Sequence, residues 1–310
     1  MESDVPDTPL SIRIHTILYK LSPALLDRFL CSVAQAVSVS KAAGRISTAF
    51  LQIGDCSPMP TLDAQRVREL AGTGRELGLD QMSYRFFDAN LGSAAGHNAL
   101  LSDFDADLLW IVNPDTAASP YVLNEMLLRL GESAYGLGDV GLVEARQLPI
   151  EHPKVYDLAT GETGWATTAC ALLPRTVVKE VGEFDADTFF LYCDDVDYSW
   201  RIRLAGYKII YAPSARIFHD KRTTPTGVYR ASAIEEYYAG EAALLMAYKY
   251  SRPDLVESYL AMLDGGTELN RKAAGEFRSR RDTGRLPAQL DAAHRVGEFP
   301  SPGLFAEHRY

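Results

Sequence analysis

The sequence predicts an α/β protein, with a mostly parallel sheet flanked by helices and a C-terminal helical extension. Through the first two thirds of the chain, short strand-like segments alternate with helical segments of about ten to fifteen residues, which is typical of βαβ units. The 310 residues, 47% of them hydrophobic, suffice for one large domain or two modest ones. We place an α/β domain at residues 1–225 and a helical extension with a tail at residues 226–310.

The elements of the first half follow from apolar periodicity. Residues 10–18 alternate apolar and polar side chains and predict a strand. Ser22 and Pro23 are a helix-opening pair, so a helix is predicted at residues 21–37. The same periodicities predict, in order, a strand at 48–53, a helix at 62–77, a strand at 84–87, a helix at 94–104, a strand at 107–112 and a helix at 120–130.

The character of the chain changes after residue 164. The pattern predicts, in order, a strand at 165–173, a helix at 174–181, an aromatic and acidic segment at 189–204 that ends in a helix, strands at 208–211 and 215–219, and a helix at 234–250. The stretch from residue 267 has few apolar residues and contains a group of basic ones: Arg271, Lys272, Arg278, Arg280, Arg281 and Arg285. We interpret this basic run as a solvated helix face, with contact to anionic lipid as the alternative.

Composition restricts the function. The net charge of -10 and the pI of about 5.1 argue against nucleic acid as a partner, because binding phosphates normally needs a basic surface. No apolar run reaches the roughly 18–20 residues of a membrane span. The acidic, proline-containing N-terminus is unlike a signal peptide, so we expect a cytoplasmic protein, at most peripheral at the inner face of the membrane. The four cysteines form no C-x-x-C pair and are predicted to be reduced packing residues.

Several polar residues lie at or just beyond the end of a predicted strand. They are Thr16, Asp55, Asn90, Asn113 and Asp115. The carboxyl ends of parallel strands share one edge of the sheet, and ligands of such sheets bind there. We therefore expect these residues to gather at one edge.

Asp115 is the first candidate for chemistry. It follows Asn113 and Pro114 after the most apolar strand, and the proline stops the strand and fixes the turn. A carboxylate held there can bind Mg²⁺ or Mn²⁺, which prefer oxygen ligands and often bridge to phosphate. The alternative is an ordinary Asn-Pro-Asp turn without a function.

The second candidate is a cluster of three carboxylates, Asp194, Asp195 and Asp197. They repel one another unless a metal, Arg201 or a helix N-terminus compensates, and the helix macrodipole alone is the structural explanation. Aromatic residues surround the cluster: Phe189, Phe190, Tyr192, Tyr198 and Trp200. Partly desolvated carboxylates can have pKa values suited to base catalysis, so we interpret the cluster as functional.

Two further features could contact a ligand. Gly92 and Gly96 let the backbone approach a phosphate at a helix N-terminus, and tight packing of the helix on the sheet is the alternative. His219 ends the last predicted strand and is a candidate metal ligand, although a lone histidine is more often a structural residue.

In order and spacing, these segments resemble the family 2 glycosyltransferases, which have the Rossmann-like GT-A fold. The resemblance covers residues 10–220 and is greatest to the branch with rhamnosyl- and galactofuranosyltransferases, where Asn-Pro-Asp replaces Asp-x-Asp. The motifs that carry it are residues 90–98, 113–116, 181–185 and 189–197, Arg201, residues 206–208 and 211–215, and His219.

The resemblance implies a role for each matching position. Asp195 matches the general base, Asp115 matches the metal-binding aspartate, and His219 matches a histidine that ligates the metal in some members. The implied donor-binding residues are Thr16, Asp55, Asn90, Gly92, Asn98, Asn113 and Asp115. The acceptor side is assigned to Trp165, Asp194 and Asp197. A core tryptophan is the alternative for Trp165.

The resemblance also implies an activity. An inverting glycosyltransferase would move a sugar from a dTDP- or UDP-sugar, with rhamnose and galactofuranose as candidates, to a hydroxyl of a glycan or lipid-linked acceptor in cell-surface polysaccharide synthesis. The implied cofactor is Mg²⁺ or Mn²⁺. The C-terminal helices resemble those that pack on the catalytic domain or pair two subunits, so a homo-oligomer stays an open alternative. The competing activities are a nucleotidyltransferase, or a non-catalytic relative that binds carbohydrate or nucleotide.

Overall fold

The computed structural model describes residues 8–131, 140–152, 154–221, 232–301 and 303–307. Strands and helices alternate in the first half: β1 (Leu10–Leu18), α1 (Pro23–Ala42), β2 (Ile46–Asp55), α2 (Ala64–Leu77), β3 (Gln81–Phe86), α3 (Gly92–Leu101) and β4 (Leu108–Val112). Each element predicted for this half is present, with ends that differ by a few residues. Amphipathic periodicity therefore suffices to place these elements.

The first four strands form a parallel sheet in the order β3-β2-β1-β4. All five residues of β4 are buried, which is typical of a parallel strand with both faces covered. Since the four strands run in the same direction, their carboxyl ends lie at one edge. The residues that follow these strands gather at that edge, as expected.

The second half of the sheet is mixed. Its elements are β5 (Thr116–Ala118), α4 (Val122–Gly131), β6 (Val140–Leu148), β7 (Glu162–Thr163), β8 (Cys170–Pro174), α5 (Arg175–Val181), α6 (Asp194–Leu204) and β9 (Lys208–His219). From β4 the sheet continues through β8, β6 and β9 to β5, with β7 beside β9. β8 is antiparallel to both neighbours, whereas β6 and β9 are parallel. The predicted α/β fold, a sheet flanked by helices, is confirmed.

The segment before β8 differs from the prediction. A strand is predicted over residues 165–173, and the observed strand begins only at Cys170. The backbone N–H of Ala166 donates to the Ser199 hydroxyl at 3.1 Å, and that of Thr167 donates to Glu144 Oε1 at 3.1 Å. Because side chains take these donors, the segment does not pair with a neighbouring strand.

Two other departures concern β6 and β9. The sequence does not predict β6, because Glu144 and Gln147 interrupt its apolar pattern, although both are buried. The two strands predicted at 208–211 and 215–219 are one strand, β9. Its register against β6 shifts between Ala145 and Arg146, which accommodates the residues around Pro213 without ending the strand.

Three helices form the C-terminal extension: α7 (Ala233–Lys249), α8 (Pro253–Asp264) and α9 (Glu268–Asp282). A capping box between Ser232 and Glu235 begins α7. The apolar faces of these helices enclose a core that also contains Val196 and Trp200 of α6. The extension and α6 therefore share one core. The predicted boundary between residues 225 and 226 lies outside the described residues, and the division into domains stays a prediction.

The predictions from composition concern surface charge, cysteines and membranes. Arg278 of α9 pairs with Asp264 at 2.6 Å, and Arg280 pairs with Glu241 at 2.9 Å, so much of the basic run is neutralised within the extension. Contact of this run with lipid stays a prediction. All four cysteines are free, and Cys56, Cys170 and Cys193 are buried as predicted for packing residues. Cys31 is exposed on α1, so the prediction of a packing role is wrong for this residue. Among the described helices, none combines the length and apolar character that crossing a membrane requires.

Candidate active site

Strand pairing brings Asp115 next to His219. β5 and β9 are antiparallel with Thr116 opposite His219, so Asp115 comes just before the paired position. Asp115 Oδ1 lies 3.3 Å from His219 Nε2, and the side chains are 35% and 11% exposed. The Asn-Pro-Asp turn is fixed from both sides, because the Asn113 N–H donates to the Ala169 carbonyl at 2.9 Å and the Asn113 carbonyl accepts from the Thr116 hydroxyl at 2.7 Å. The two predicted metal ligands thus face each other on rigid backbone.

The surroundings of this pair fit a divalent cation. His219 Nδ1 lies 2.8 Å from Gln147 Oε1, and a metal-ligating histidine usually has its second nitrogen held in this way. Within the described ranges, no three His, Cys, Asp or Glu side chains are grouped so that they could hold a metal ion by themselves. Mg²⁺ commonly takes one or two carboxylates together with water and phosphate oxygens. A site with two protein ligands therefore suits an ion shared with a diphosphate.

Helix α6 begins at the acidic cluster. Tyr192 and Cys193 have left-handed backbone, with φ of 68° and 61°, so the chain turns sharply before Asp194. Asp194 is buried, and its Oδ2 has no hydrogen-bond partner among the described residues. Asp195 is half-buried, and its Oδ1 accepts from the Val196 N–H at 2.8 Å. One of these carboxylates is therefore enclosed and the other is open to an acceptor.

Both of these carboxyls have raised pKa values. Burial raises the pKa of Asp195, and the charge of Asp194 raises it further. Burial is also the largest cause of the raised pKa of Asp194. A general base is most effective when its pKa lies near the working pH, so a raised pKa makes Asp195 a better proton acceptor than an ordinary aspartate. This environment favours the role in base catalysis that the sequence predicts for Asp195.

Asp197 has a different environment. It is fully buried, and its Oδ2 accepts from Arg201 Nε at 2.9 Å. Its Oδ1 accepts from Lys249 Nζ at 2.6 Å and from the Tyr250 hydroxyl at 3.0 Å. Lys249 also pairs with Asp185 at 2.6 Å. Because the Asp197 carboxylate is engaged within the protein, we reassign this residue from the acceptor side to an anchor between α6 and α7.

Asp55 ends β2 and shapes the loop that follows. Its carboxylate accepts from the Ser57 N–H at 2.9 Å, the Thr61 N–H at 2.7 Å and the Tyr84 hydroxyl at 2.5 Å. Burial alone would raise the pKa of Asp55, but these hydrogen bonds outweigh burial and the pKa is lowered. The carboxylate stays charged and holds residues 56–61 in place. Its contact with a donor nucleotide stays a prediction.

Thr16, Asn90 and Gly92 also lie at this edge of the sheet. Thr16 is buried, and its hydroxyl has no hydrogen-bond partner in the described part of the chain. Gly92 has a φ of 73°, and a Cβ added there would lie 2.5 Å from the Phe190 carbonyl oxygen. Only glycine permits this approach of α3 to the segment that leads to the acidic cluster. Asn90 is exposed and accepts from the Gly92 N–H at 3.3 Å.

Two other predicted site residues make internal contacts. Asn98 Nδ2 donates to the Phe184 carbonyl at 2.8 Å, and Asn98 Oδ1 accepts from the Phe184 N–H at 2.9 Å. Both ends of this amide therefore hold α3 to the chain after α5, and we remove Asn98 from the predicted donor-binding residues. Trp165 is 8% exposed and belongs to the core of the extension, with Lys154 Nζ 4.2 Å from its ring centre. Burial agrees with the alternative of a core tryptophan, and its contact with an acceptor stays a prediction.

Sequence reasoning missed four polar residues of the site: Glu144, Gln147, Lys154 and Lys221. Glu144 and Lys154 form a buried ion pair of 2.5 Å. Lys221 follows His219 closely and makes no ion pair with another residue that the structure describes. The alternation of residues 140–148, with polar side chains on a buried face, is the signal that could have identified Glu144 and Gln147.

Comparison with known proteins agrees with this arrangement. The family profile described as Glycosyltransferase like family 2 matches residues 73–235, just over half of the chain. The chain belongs to this glycosyltransferase family. Two curated relatives from Mycobacterium tuberculosis, strains CDC 1551 / Oshkosh and ATCC 25618 / H37Rv, are each named N-acetylglucosaminyl-diphospho-decaprenol L-rhamnosyltransferase. They are 40% identical over 58 residues, so the match spans 19% of this chain and 19% of each relative.

Solved glycosyltransferase structures share the fold. GalNAc-T7, solved with UDP, GalNAc and Mn²⁺, is 9% identical with a TM-score of 0.59, and the match covers 90% of this chain and 56% of that one. The mannosyltransferase PcManGT of Pyrobaculum calidifontis, in complex with GDP-Man and Mn²⁺, is 16% identical with a TM-score of 0.52 over 96% and 90% of the chains. S. aureus TarS is 11% identical with a TM-score of 0.51 over 77% and 40%. This member of the glycosyltransferase family therefore has the GT-A fold.

Proposed function

We propose that the protein is an inverting glycosyltransferase that moves a sugar from a nucleoside-diphosphate donor to a hydroxyl acceptor. The observation that carries this proposal is the meeting of Asp115 with His219 at the strand-end edge, together with the separate, raised-pKa carboxylate of Asp195. The first pair suits the departure of a diphosphate, and the second group suits deprotonation of a hydroxyl.

In this reaction Asp195 takes the proton of the acceptor hydroxyl while that oxygen attacks the anomeric carbon. One carbon–oxygen bond forms on the face opposite the leaving group, the bond to the diphosphate breaks, and the configuration inverts. General-base assistance of this kind is typically worth about 10²–10⁴-fold. The half-buried position of Asp195 leaves it accessible to the acceptor while Asp194 stays enclosed.

Asp115 and His219 would hold the divalent cation, Mg²⁺ or Mn²⁺. When bound, this cation supplies positive charge to the departing diphosphate. Lys221 lies beside this pair and is a further cationic contact for the diphosphate. The strand-end residues Thr16, Asp55, Asn90, Gly92 and Asn113 are the proposed donor side.

The substrate class is proposed from the curated relatives. Their name describes transfer of L-rhamnose to N-acetylglucosaminyl-diphospho-decaprenol, and the aligned part is 19% of each chain. We infer a dTDP- or UDP-linked sugar, rhamnose or galactofuranose, as the donor. The acceptor would be a glycan or a lipid-linked sugar in cell-surface polysaccharide synthesis, reached by a protein at the cytoplasmic face of the membrane.

The test is a donor panel with a defined acceptor. The protein is incubated with dTDP-rhamnose or UDP-galactofuranose, Mn²⁺ and a polyprenyl-diphosphate-linked N-acetylglucosamine, and release of the nucleoside diphosphate is followed by chromatography. We expect turnover of one donor, a product with inverted anomeric configuration by NMR, and loss of turnover on adding EDTA.

Two results would contradict the proposal. Retention of the anomeric configuration would exclude the single displacement by way of Asp195. Binding of a donor without any turnover or hydrolysis would instead support the non-catalytic alternative. The variant Asp254→Asn is a suitable control, because Asp254 lies in the extension and Arg252 is its one ion-pair partner among the residues that the structure describes.

A further inference from the structure

A chain of buried polar contacts leads from an ion pair to His219. It begins at Lys154 and Glu144, whose side chains are 4% and 2% exposed and whose charged atoms are 2.5 Å apart. It continues through Thr167, in the segment before β8, and Gln147 of β6. Sequence reasoning assigned no function to Lys154, Glu144 or Gln147, and it placed Thr167 only within a segment on the acceptor side.

The hydrogen bonds of this chain have a fixed direction. Glu144 is paired with a lysine and is therefore a carboxylate that can only accept hydrogen bonds. Its Oε1 lies 2.9 Å from the Thr167 hydroxyl, so the single hydroxyl hydrogen of Thr167 points towards Glu144. The Thr167 oxygen is then the acceptor for Gln147 Nε2 at 2.8 Å. This contact orients the Gln147 amide, with its Oε1 facing His219.

The direction of the chain determines which nitrogen of His219 carries the hydrogen. Gln147 Oε1 has no hydrogen to donate, and it lies 2.8 Å from His219 Nδ1. Nδ1 is therefore the donor, and in the neutral ring Nε2 has a free lone pair. Nε2 lies 3.3 Å from Asp115 Oδ1, which is also an acceptor. Two acceptors that face each other at this distance are suited to holding a cation between them.

We propose that Gln147 and Thr167, backed by the Glu144–Lys154 ion pair, are positioning residues that hold His219 as its Nδ1–H tautomer and direct Nε2 to a divalent cation. The inference rests on the proposed role of Asp115 and His219 in binding that cation. Burial strengthens the effect, because an amide or hydroxyl without its partner would be costly inside the protein. The chain thus has one low-energy arrangement.

The first experiment reads the tautomer directly in the metal-free protein. The protein is labelled with ¹⁵N-histidine, and long-range ¹H–¹⁵N spectra are recorded at pH 8, with His219→Asn used to assign the signal. We expect Nδ1 to carry a hydrogen in the wild type and in Thr167→Ser. In Thr167→Val, which has the same shape without the hydroxyl, the Nε2–H form should become populated. A wild-type ring that carries a hydrogen on Nε2 and none on Nδ1 would overturn the proposal.

The second experiment measures Mn²⁺ binding in the presence of UDP by electron paramagnetic resonance. Residues that support a metal ligand typically change affinity about 10–100-fold, so Thr167→Val should weaken binding within that range while Thr167→Ser stays near the wild type. Urea unfolding of both variants checks that they are folded. If Thr167→Val binds Mn²⁺ as the wild type does, while Asp115→Asn and His219→Asn bind it weakly, the positioning role is overturned and the metal site stands.

If the proposed metal site is wrong, the Mn²⁺-binding results should differ from those above. In that case Asp115→Asn and His219→Asn would bind Mn²⁺ with wild-type affinity. The positioning role towards a metal would then fall with the site, and the tautomer in the metal-free protein would still show whether Gln147 sets the ring state.

Discussion

Two carboxylates on the same helix, Asp195 and Asp197, have opposite electrostatic environments. Asp197 is fully buried, yet it is compensated by Lys249 and Arg201 and hydrogen-bonded to Tyr250. Asp195 is more open, but no cationic group lies within ion-pair distance of it among the described residues. Its nearest charged neighbour in sequence is another aspartate. The more accessible group is therefore the less well compensated one.

This difference distinguishes a structural role from a catalytic role within one turn of α6. A buried charge with partners holds elements together, and removing a partner leaves the other charge uncompensated. A charge kept near another of the same sign has a raised pKa and can accept a proton at neutral pH. We infer that Asp197 is present for the attachment of the extension and Asp195 for the reaction.

Asp195→Asn should have the largest effect on turnover. Removing the general base is expected to lower kcat by about 10²–10⁴-fold, measured by release of the nucleoside diphosphate at saturating donor. The fold should not suffer. Because the pKa of Asp195 is raised in the folded state, its stabilising contribution is present below the unfolded pKa and is lost as the pH rises through the folded pKa. At neutral pH the neutral asparagine should therefore be as stable as aspartate or more so. Wild-type turnover would remove Asp195 from the proposed role.

Asp197→Asn should have the opposite profile. Breaking a buried ion pair from one side typically costs about 3–5 kcal/mol, so the free energy of unfolding in urea should fall by that order. Asp254→Asn, at an exposed ion pair, should leave it nearly unchanged. A loss below about 1 kcal/mol in Asp197→Asn would show that Asp185 alone compensates Lys249. The anchor would then be Asp185.

His97 tests a third environment: among the described residues it is a buried ionisable group that forms no ion pair, and it has no proposed role. Burial lowers its pKa from 6.5 to about 4, and the ring stacks on His15 at 6.2 Å. The unfolded chain binds a proton below pH 6.5 and the folded chain does not until about pH 4, so stability is present above this window and is lost as the pH falls through it. The loss should be about 3 kcal/mol by linkage.

The measurement for His97 is urea unfolding at several pH values between 7 and 4. His97→Gln should reduce the dependence on pH within that window, because the effects of the aspartates are common to both proteins. Equal slopes for the wild type and the variant would show that His97 is protonated in the folded state as readily as in the unfolded chain.

The elements of the first half could be predicted because the side chains that they bury are apolar. Apolar side chains alternate with polar ones in β1 and β2 and are continuous in β4. The order of these strands in the sheet follows from their βαβ connections. β6 was not predicted, for the opposite reason. Its inward positions include Glu144 and Gln147, and a periodicity of hydrophobic residues does not detect a buried face made of polar ones.

The site could be predicted in its residues but not in its contacts. The family resemblance indicated Asp115, His219 and Asp195, and strand pairing does bring the first two together. Arg201, four residues after Asp197, is a local partner that the sequence contains, but the compensation of Asp197 also depends on Lys249. Lys249 is distant in the chain and reaches α6 only when the extension packs. Long-range partners of this kind are the part that a single sequence does not contain.

Asp194→Asn tests the cause of the raised pKa of Asp195, because it leaves Asp195 in place and changes only its neighbour. The raised pKa of Asp195 has burial as its first cause and the charge of Asp194 as its second. In the wild type, kcat/KM should rise with pH to a plateau, with a midpoint above the ordinary carboxyl range. Without the neighbouring charge, that midpoint should move to lower pH, on the order of one unit, since the two groups no longer titrate as a coupled pair. Asp254→Asn should leave the profile unchanged. A midpoint that stays fixed in Asp194→Asn would show that burial alone tunes the base, and the raised pKa would then owe nothing to the neighbouring aspartate.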